Sequence, residues 1–279
     1  MTVNEGAGDM EPDVISMAAS YDDYPRIEAE FQELLDGSLD PRGPGSLLDI
    51  VAGLSLPKRS TVVDVGCGEG DDALALHKRL GVDVHGVDPV ARHVELASAA
   101  AVAAGVADRV TFELGSAERI PLDDASVDLV WAKEMLMYAD LDAAFAEFHR
   151  VLRPGGLGFV YQVLTGPEMS DAEGDAFWAT DGLGKSVRPA DIERAIADHS
   201  LALVDRIDFG SEWGEYAQER SGAGGRRLLH AARLRRDPQR YIDAFGPTNY
   251  RIMLGDCMWH IYRMIGKLHG AAFTFRREG

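Results

Sequence analysis

With 279 residues, 46% of them hydrophobic, the chain can bury one large domain or one domain with a sizeable insertion. Its 46 acidic residues outweigh 28 basic ones, and a formal charge of −18 argues against a general electrostatic grip on nucleic acid. Two cysteines and eight scattered histidines give neither a disulfide framework nor paired zinc-ligand spacing, so no metal is expected. Cys67 and Cys257 read as free thiols in a reducing compartment, the cytoplasm.

Residues 1–17 are polar, acidic and glycine-containing, which predicts a disordered tail without the basic and apolar blocks of a signal peptide. Ile27, Phe31, Leu34 and Leu35 then recur at helical spacing and predict a helical cap over 18–54. The most informative run follows: Val62-Val63-Asp64-Val65-Gly66-Cys67-Gly68-Glu69-Gly70. It reads as a β-branched strand ending in alternate glycines, where the chain must turn sharply and let a ligand approach its backbone. Leu74, Leu76 and Leu80 continue as a helix, and a second strand from Val82 to Val87 ends at Asp88, 18 residues past Gly70. Strand, glycine turn, helix, strand and terminal acid make a nucleoside-binding βαβ unit, with the acid placed for ribose hydroxyls. A dinucleotide fingerprint would need a third glycine at position 71, but Asp71 stands there and would repel a pyrophosphate.

The alanine-rich stretch from Leu96 to Ala107 predicts a helix packed on the sheet, too short to span a bilayer. Strand-like runs begin at Val110 and at Val127, the latter after a polar turn through Asp124. A helix from Phe145 to Leu152 is stopped by Arg153-Pro154-Gly155-Gly156 before a strand from Leu157 to Val163. Leu201 to Phe209 and Ala271 to Phe275 read as the last two strands. About sixty residues separate them, too many for a hairpin, and their aromatic and helical periodicity predicts a helical lid over 210–270. Within it Arg226, Arg227, Arg233, Arg235, Arg236 and Arg240 could grip a phosphate or an acidic carrier, or form a solvated helix face.

The pattern Asp64-x-Gly66-x-Gly68-x-Gly70, with Asp88 in register, resembles the signature of the class I S-adenosylmethionine-dependent methyltransferases, small-molecule type. Glu134-Met135-Leu136-Met137-Tyr138 and the Leu152-Arg153-Pro154-Gly155-Gly156 turn are similar to later segments of that family, so the resemblance covers about residues 55–165. It implies an α/β, Rossmann-like fold over 18–279: a seven-stranded, mostly parallel sheet of order 3-2-1-4-5-7-6, the seventh strand antiparallel, with helices on both faces. It implies S-adenosyl-L-methionine as cofactor, held through Asp64, Gly66, Cys67, Gly68, Asp88, Pro89, Ser116, Ala117, Glu118, Lys133 and Glu134. Ser116 departs from the family, whose adenine loop commonly carries Asp. Lys133 departs too, since an ammonium near a sulfonium needs a counter-charge or must face solvent. Tyr21 and Tyr24 resemble an N-terminal segment that folds over the cofactor, and Tyr138 follows a segment beside the transferring methyl.

His260 is the candidate base if the acceptor needs one, with Tyr21 and Tyr138 as further candidates at the reacting centre. The aromatic lid suits an apolar, cyclic or aromatic acceptor of secondary metabolism, and serves a homodimer interface equally well. Methyl transfer to such a small molecule is the leading expectation, with no nucleic acid or membrane partner. The alternatives are a non-catalytic binder of S-adenosylmethionine or S-adenosylhomocysteine, and a cofactor-retaining cyclase.

Overall fold

The computed structural model describes residues 17, 21, 24–57, 59–179 and 184–279. The tail expected over 1–17 therefore lies, apart from Met17, outside the described residues. The chain divides into two compact units between Asp40 and Pro41. The first contains α1 (Tyr24–Asp36), on which Ile27, Phe31, Leu34 and Leu35 are exposed.

The second unit begins with α2 (Gly45–Ala52), so the helical reading of 18–54 resolves into two helices that belong to different units. Its sheet comprises β1 (Thr61–Val65), β2 (Asp83–Asp88), β3 (Val110–Leu114), β4 (Val127–Lys133), β5 (Leu152–Thr165), β6 (Leu201–Gly210) and β7 (Leu268–Arg277). The order is β3-β2-β1-β4-β5-β7-β6; the first five strands run parallel, and β7 is antiparallel to β5 and β6. The β-branched central strands are buried on both faces, as a parallel sheet covered by helices requires.

Helices α3 (Asp71–Leu80) and α4 (Ala91–Ala103) join β1 to β2 and β2 to β3. Helix α5 (Leu141–Val151) joins β4 to β5, and α6 (Asp171–Trp178) and α7 (Pro189–Asp198) lie between β5 and β6. The sheet grows outward from the β1–β4 boundary in both directions. Right-handed crossovers therefore put α3 and α4 on one face and α5 on the other. At that boundary the chain leaves two adjacent parallel strands in opposite directions, which opens a crevice at their carboxyl ends.

Two boundaries differ from expectation. Helix α4 stops at Ala103, and Gly105, at φ +70°, turns the chain before residue 107. Strand β5 starts at Leu152, which pairs with Val127, whereas Leu157 pairs with Leu129. Residues 153–156 form a bulge inside the strand, where a proline is tolerated.

Between β6 and β7 stand four helices: α8 (Glu212–Ser221), α9 (Ala223–Arg236), α10 (Pro238–Phe245) and α11 (Pro247–Met264). Leu268 pairs with Thr165 and Gly270 with Gly210, so this insertion leaves and rejoins the sheet at the carboxyl edge of β5 and β6. Ala231, Leu234 and Cys257 give it a small core of its own. Arg42 ties the start of α8 down: its Nε donates to Glu212 Oε2 at 2.7 Å and its guanidinium covers the Phe209 ring at 4.3 Å. In the arginine run, Arg227 pairs with Asp256 at 2.6 Å. No described helix is long and apolar enough to cross a membrane.

The core is aromatic on both faces of the sheet: Trp131 stacks on Phe159 at 5.1 Å on one, and Phe145 and Phe148 meet Phe275 on the other. Gly158 lets the Phe275 ring lie against the β5 backbone, because a Cβ there would come within 2.0 Å of it. Gly158→Ala is expected to destabilise the protein by about 1–3 kcal/mol through overpacking, read as a lower denaturant midpoint at unchanged m-value. An unchanged midpoint would contradict the packing.

Candidate active site

The crevice is built around the turn that leaves β1. Gly66, Gly68 and Gly70 all have positive φ, at +76°, +52° and +90°. A side chain at Gly66 would strike Met135 at 2.8 Å, while the position of a Cβ on Gly68 has nothing within 4 Å, leaving open space above the backbone. The amides of Gly66 and Cys67 donate to the Val87 carbonyl at 2.8 and 3.1 Å, which binds the turn to the end of β2.

Asp88 completes that join. Its buried carboxylate accepts from the Gly68 amide on Oδ2 at 2.9 Å, and on Oδ1 from the Val90 amide at 2.9 Å and lies 3.0 Å from His93 Nδ1. A carboxylate has about four acceptor positions, so one remains, on Oδ2, for a hydroxyl from a ligand. His93 is not among the residues expected from the sequence; its place in the first turn of α4, five residues past the acid, is the signal that identifies it.

A cavity of about 450 Å³ opens here, lined by Gly66, Gly68, Asp88, Pro89, Val90, His93, Ser116, Ala117, Glu118, Lys133, Glu134, Met135, Tyr138 and Ala139. The structure thus gathers nine of the eleven residues expected around a cofactor. Cys67 and Asp64 stand behind them. The buried Cys67 thiol is 3.7 Å from the Gly68 carbonyl, and burial, then the nearby carboxylates, pushes its pKa far up, so it is an inert space-filler. Ser116 makes paired backbone hydrogen bonds with Arg119, which closes the loop after β3. Burial acts to raise the Glu118 pKa, but hydrogen bonds from the Asp140 and Glu118 amides and the Ser116 hydroxyl hold it below its usual value.

Asp64 is 2% exposed, and its Oδ2 has no hydrogen-bond partner. Burial first, and the charge of Asp72 second, raises its pKa well above the ordinary carboxylate value, against the pull of Lys133. An unsatisfied buried carboxylate is costly unless a ligand cation meets it, and the amino group of a bound methionine moiety has that chemistry. Lys133 does not extend into solvent. Its ammonium reaches Asp72 on the first turn of α3 at 2.6 Å, which supplies the counter-charge that this position requires.

Glu134 sits at φ +52°, a costly conformation for a residue with a side chain, held by its amide donating to the Tyr161 carbonyl at 2.8 Å. Its Oε1 is buried without a hydrogen bond, 3.7 Å from the Arg263 guanidinium of α11. Burial raises its pKa, opposed by Arg263 and Lys133. Tyr138 lines the same cavity and is 65% exposed, with its pKa raised by burial and by Glu134. His260 is not brought to this cavity. It lines a separate one with Trp213 and Arg263, 3.8 Å from Asp256, because on α11 it follows Asp256 by one turn. Tyr21 belongs to the N-terminal unit and is exposed.

The sheet order and this glycine crevice define a class I S-adenosylmethionine-dependent methyltransferase fold. Residues 62–156 match the family described as a methyltransferase domain. The chain is 38% identical over 120 residues to the geranyl diphosphate 2-C-methyltransferase of Saccharopolyspora erythraea, covering 43% of this chain and 40% of that relative. It is 38% identical over 133 residues to the 27-O-demethylrifamycin SV methyltransferase of Amycolatopsis mediterranei, covering 47% and 48%. The matches thus span less than half the length of these curated relatives. Among solved structures, the chain is similar in fold to the [4+2]-cyclase SpnF, with a TM-score of 0.67 at 20% identity over 92% of this chain and 94% of that one. It is likewise similar to the geranyl diphosphate C-methyltransferase of Streptomyces coelicolor, at 0.63 and 20%, over 84% and 75%.

Two outcomes follow for the crevice. Asp88→Ala is expected to weaken S-adenosylhomocysteine binding by about 1.5–3 kcal/mol in calorimetry, the loss of a charge-assisted hydrogen bond; unchanged affinity in the folded variant would remove Asp88 from the site. A cationic amino group binds ionised Asp64, whose pKa is raised in the free protein. Affinity should therefore fall as pH drops through that raised value and level off above it. Asp64→Asn should flatten this dependence, and a slope that persists would assign the titration elsewhere.

Proposed function

We propose that the chain transfers a methyl group from S-adenosylmethionine to a small-molecule acceptor of secondary metabolism, apolar and cyclic or aromatic. The observation that carries this reading is the pairing of an open glycine backbone at Gly68 with an unsatisfied buried carboxylate at Asp64, at the switch point of the sheet. When bound, S-adenosylmethionine supplies a methyl on a sulfonium, which a nucleophile displaces in line as a neutral thioether leaves.

The residues divide the remaining work. Asp88 accepts from the ribose, Asp64 offsets the amino group, and Ser116 to Glu118 border the adenine. A hydroxyl at Ser116 gives a weaker polar contact than the acid common in the family. Lys133, clamped by Asp72, keeps its charge directed at the helix and not at the sulfonium. The helices α8–α11 serve as the lid that excludes water and aligns the acceptor, since the leaving group is already good and alignment supplies most of the acceleration. Glu134 replaces His260 as the group that takes a proton from the acceptor: it lines the cavity, and burial raises its carboxyl pKa against the pull of Arg263 and Lys133. Buried, unpaired cysteines suit a cytoplasmic protein.

Incubation with S-adenosylmethionine and a panel of aromatic and polyketide-like acceptors, followed by mass spectrometry, tests the reaction. S-adenosylhomocysteine should form in step with a methylated product; an acceptor that changes connectivity without gaining a methyl would instead favour a cyclase. With a hydroxyl or carbon acceptor, Glu134→Gln should lower kcat about 100-fold or more at nearly unchanged S-adenosylhomocysteine affinity. Retained kcat would exclude Glu134 as the proton acceptor.

A further inference from the structure

A second cavity, of about 350 Å³, lies among α8, α9 and α11 and shares no lining residue with the glycine crevice. Trp213, Tyr216, Arg220, His260, Arg263 and Met264 form its working walls, and no carboxylate lines it. That is unusual in a chain carrying a formal charge of −18. The Arg220 guanidinium lies 4.6 Å over the Tyr216 ring and has no carboxylate partner among the described residues. Arg263 lies 5.1 Å over Trp213, and the Trp213 indole N–H is buried without an acceptor.

The aromatic walls are fixed in place. Trp213 stacks on Tyr161 at 4.3 Å with an interplanar angle of 18°, which sets the plane of its ring. The Tyr216 ring lies where a side chain on Gly43 would stand, 2.6 Å from the position of its Cβ. Gly214 lets α8 close on α11, since a Cβ there would meet Met264 Sδ at 2.7 Å. Flat aromatic faces beside the Arg220 guanidinium, which no acid among the described residues opposes, match a planar molecule bearing an anionic group. The cavity also adjoins the first one: Arg263 lines it, and its guanidinium lies 3.7 Å from the Glu134 oxygen of the first.

We propose that this cavity binds the acceptor, a planar aromatic molecule carrying a carboxylate or phosphate, with the anion on Arg220 and the ring against Trp213 and Tyr216. Its role as acceptor site rests on the methyl-transfer reading; its preference for acidic aromatics does not. Arg220 is exposed at the mouth, so its substitution leaves the fold intact.

The test titrates the full chain with 2-naphthoate, 2-naphthyl phosphate and the neutral 2-naphthamide, and, on the same sample, S-adenosylhomocysteine. One or both acids should bind about tenfold or more tightly than the amide, as one charge-assisted hydrogen bond implies. The tighter acid identifies the anionic group. Arg220→Met should abolish the preference, Arg220→Lys should restore part of it, and both should bind S-adenosylhomocysteine like the parent. No saturable acid binding, equal affinity for acid and amide, or a preference that survives Arg220→Met would overturn the proposal. S-adenosylhomocysteine binding without Arg220-dependent acid binding defeats the cavity alone. Arg220-dependent acid binding without S-adenosylhomocysteine binding keeps the anion site and removes its role in methyl transfer.

Discussion

The turn from β1 into α3 is the constraint on which the rest of the site depends. Three alternate residues there adopt positive φ, which glycine tolerates and side-chain-bearing residues resist. The turn is tied to the end of β2 twice, through the Val87 carbonyl and through the Asp88 carboxylate. Those ties keep the Gly68 backbone facing open space instead of collapsing onto its neighbours. A buried carboxylate is normally expensive, and Asp88 is tolerated because three donors surround it. Asp64 has no such complement on Oδ2, so the folded protein leaves one buried acidic oxygen unsatisfied.

Electrostatics give the two cavities opposite characters. Around the glycine turn, Asp64, Asp88 and Glu134 outnumber the one lysine, whose charge is already committed to Asp72. That bias suits a ligand with an ammonium and a sulfonium. In the helical insertion, arginines over aromatic rings favour the reverse charge. The Glu134–Arg263 pair stands on the border, one partner in each cavity.

Much of this was legible in the sequence because it is local. A strand, its glycine turn, the following helix and the terminal acid lie within thirty residues, and backbone sterics alone interpret them. The sheet order came with the family resemblance carried by those motifs. What was not legible depends on pairs distant in sequence: Lys133 with Asp72, Glu134 with Arg263, and Trp213 on Tyr161. His260 stands out in the sequence as a histidine in an aromatic helix, but helical periodicity does not say which neighbouring element a face meets. It faces the second cavity, and Glu134, an acid assigned only to cofactor contact, carries the unpaired oxygen instead. The bulge in β5 is not legible in the sequence because Pro154 and the two glycines after it have the composition of a stop signal, whereas the strand passes through them.

The most direct measurement is isothermal calorimetry of the purified chain with S-adenosylmethionine, S-adenosylhomocysteine and NAD. The account requires saturable binding of both sulfur ligands and none of NAD, because Asp71 stands where a dinucleotide pyrophosphate would need a glycine. Binding of NAD, or silence toward both sulfur ligands, would contradict the assignment of the glycine crevice.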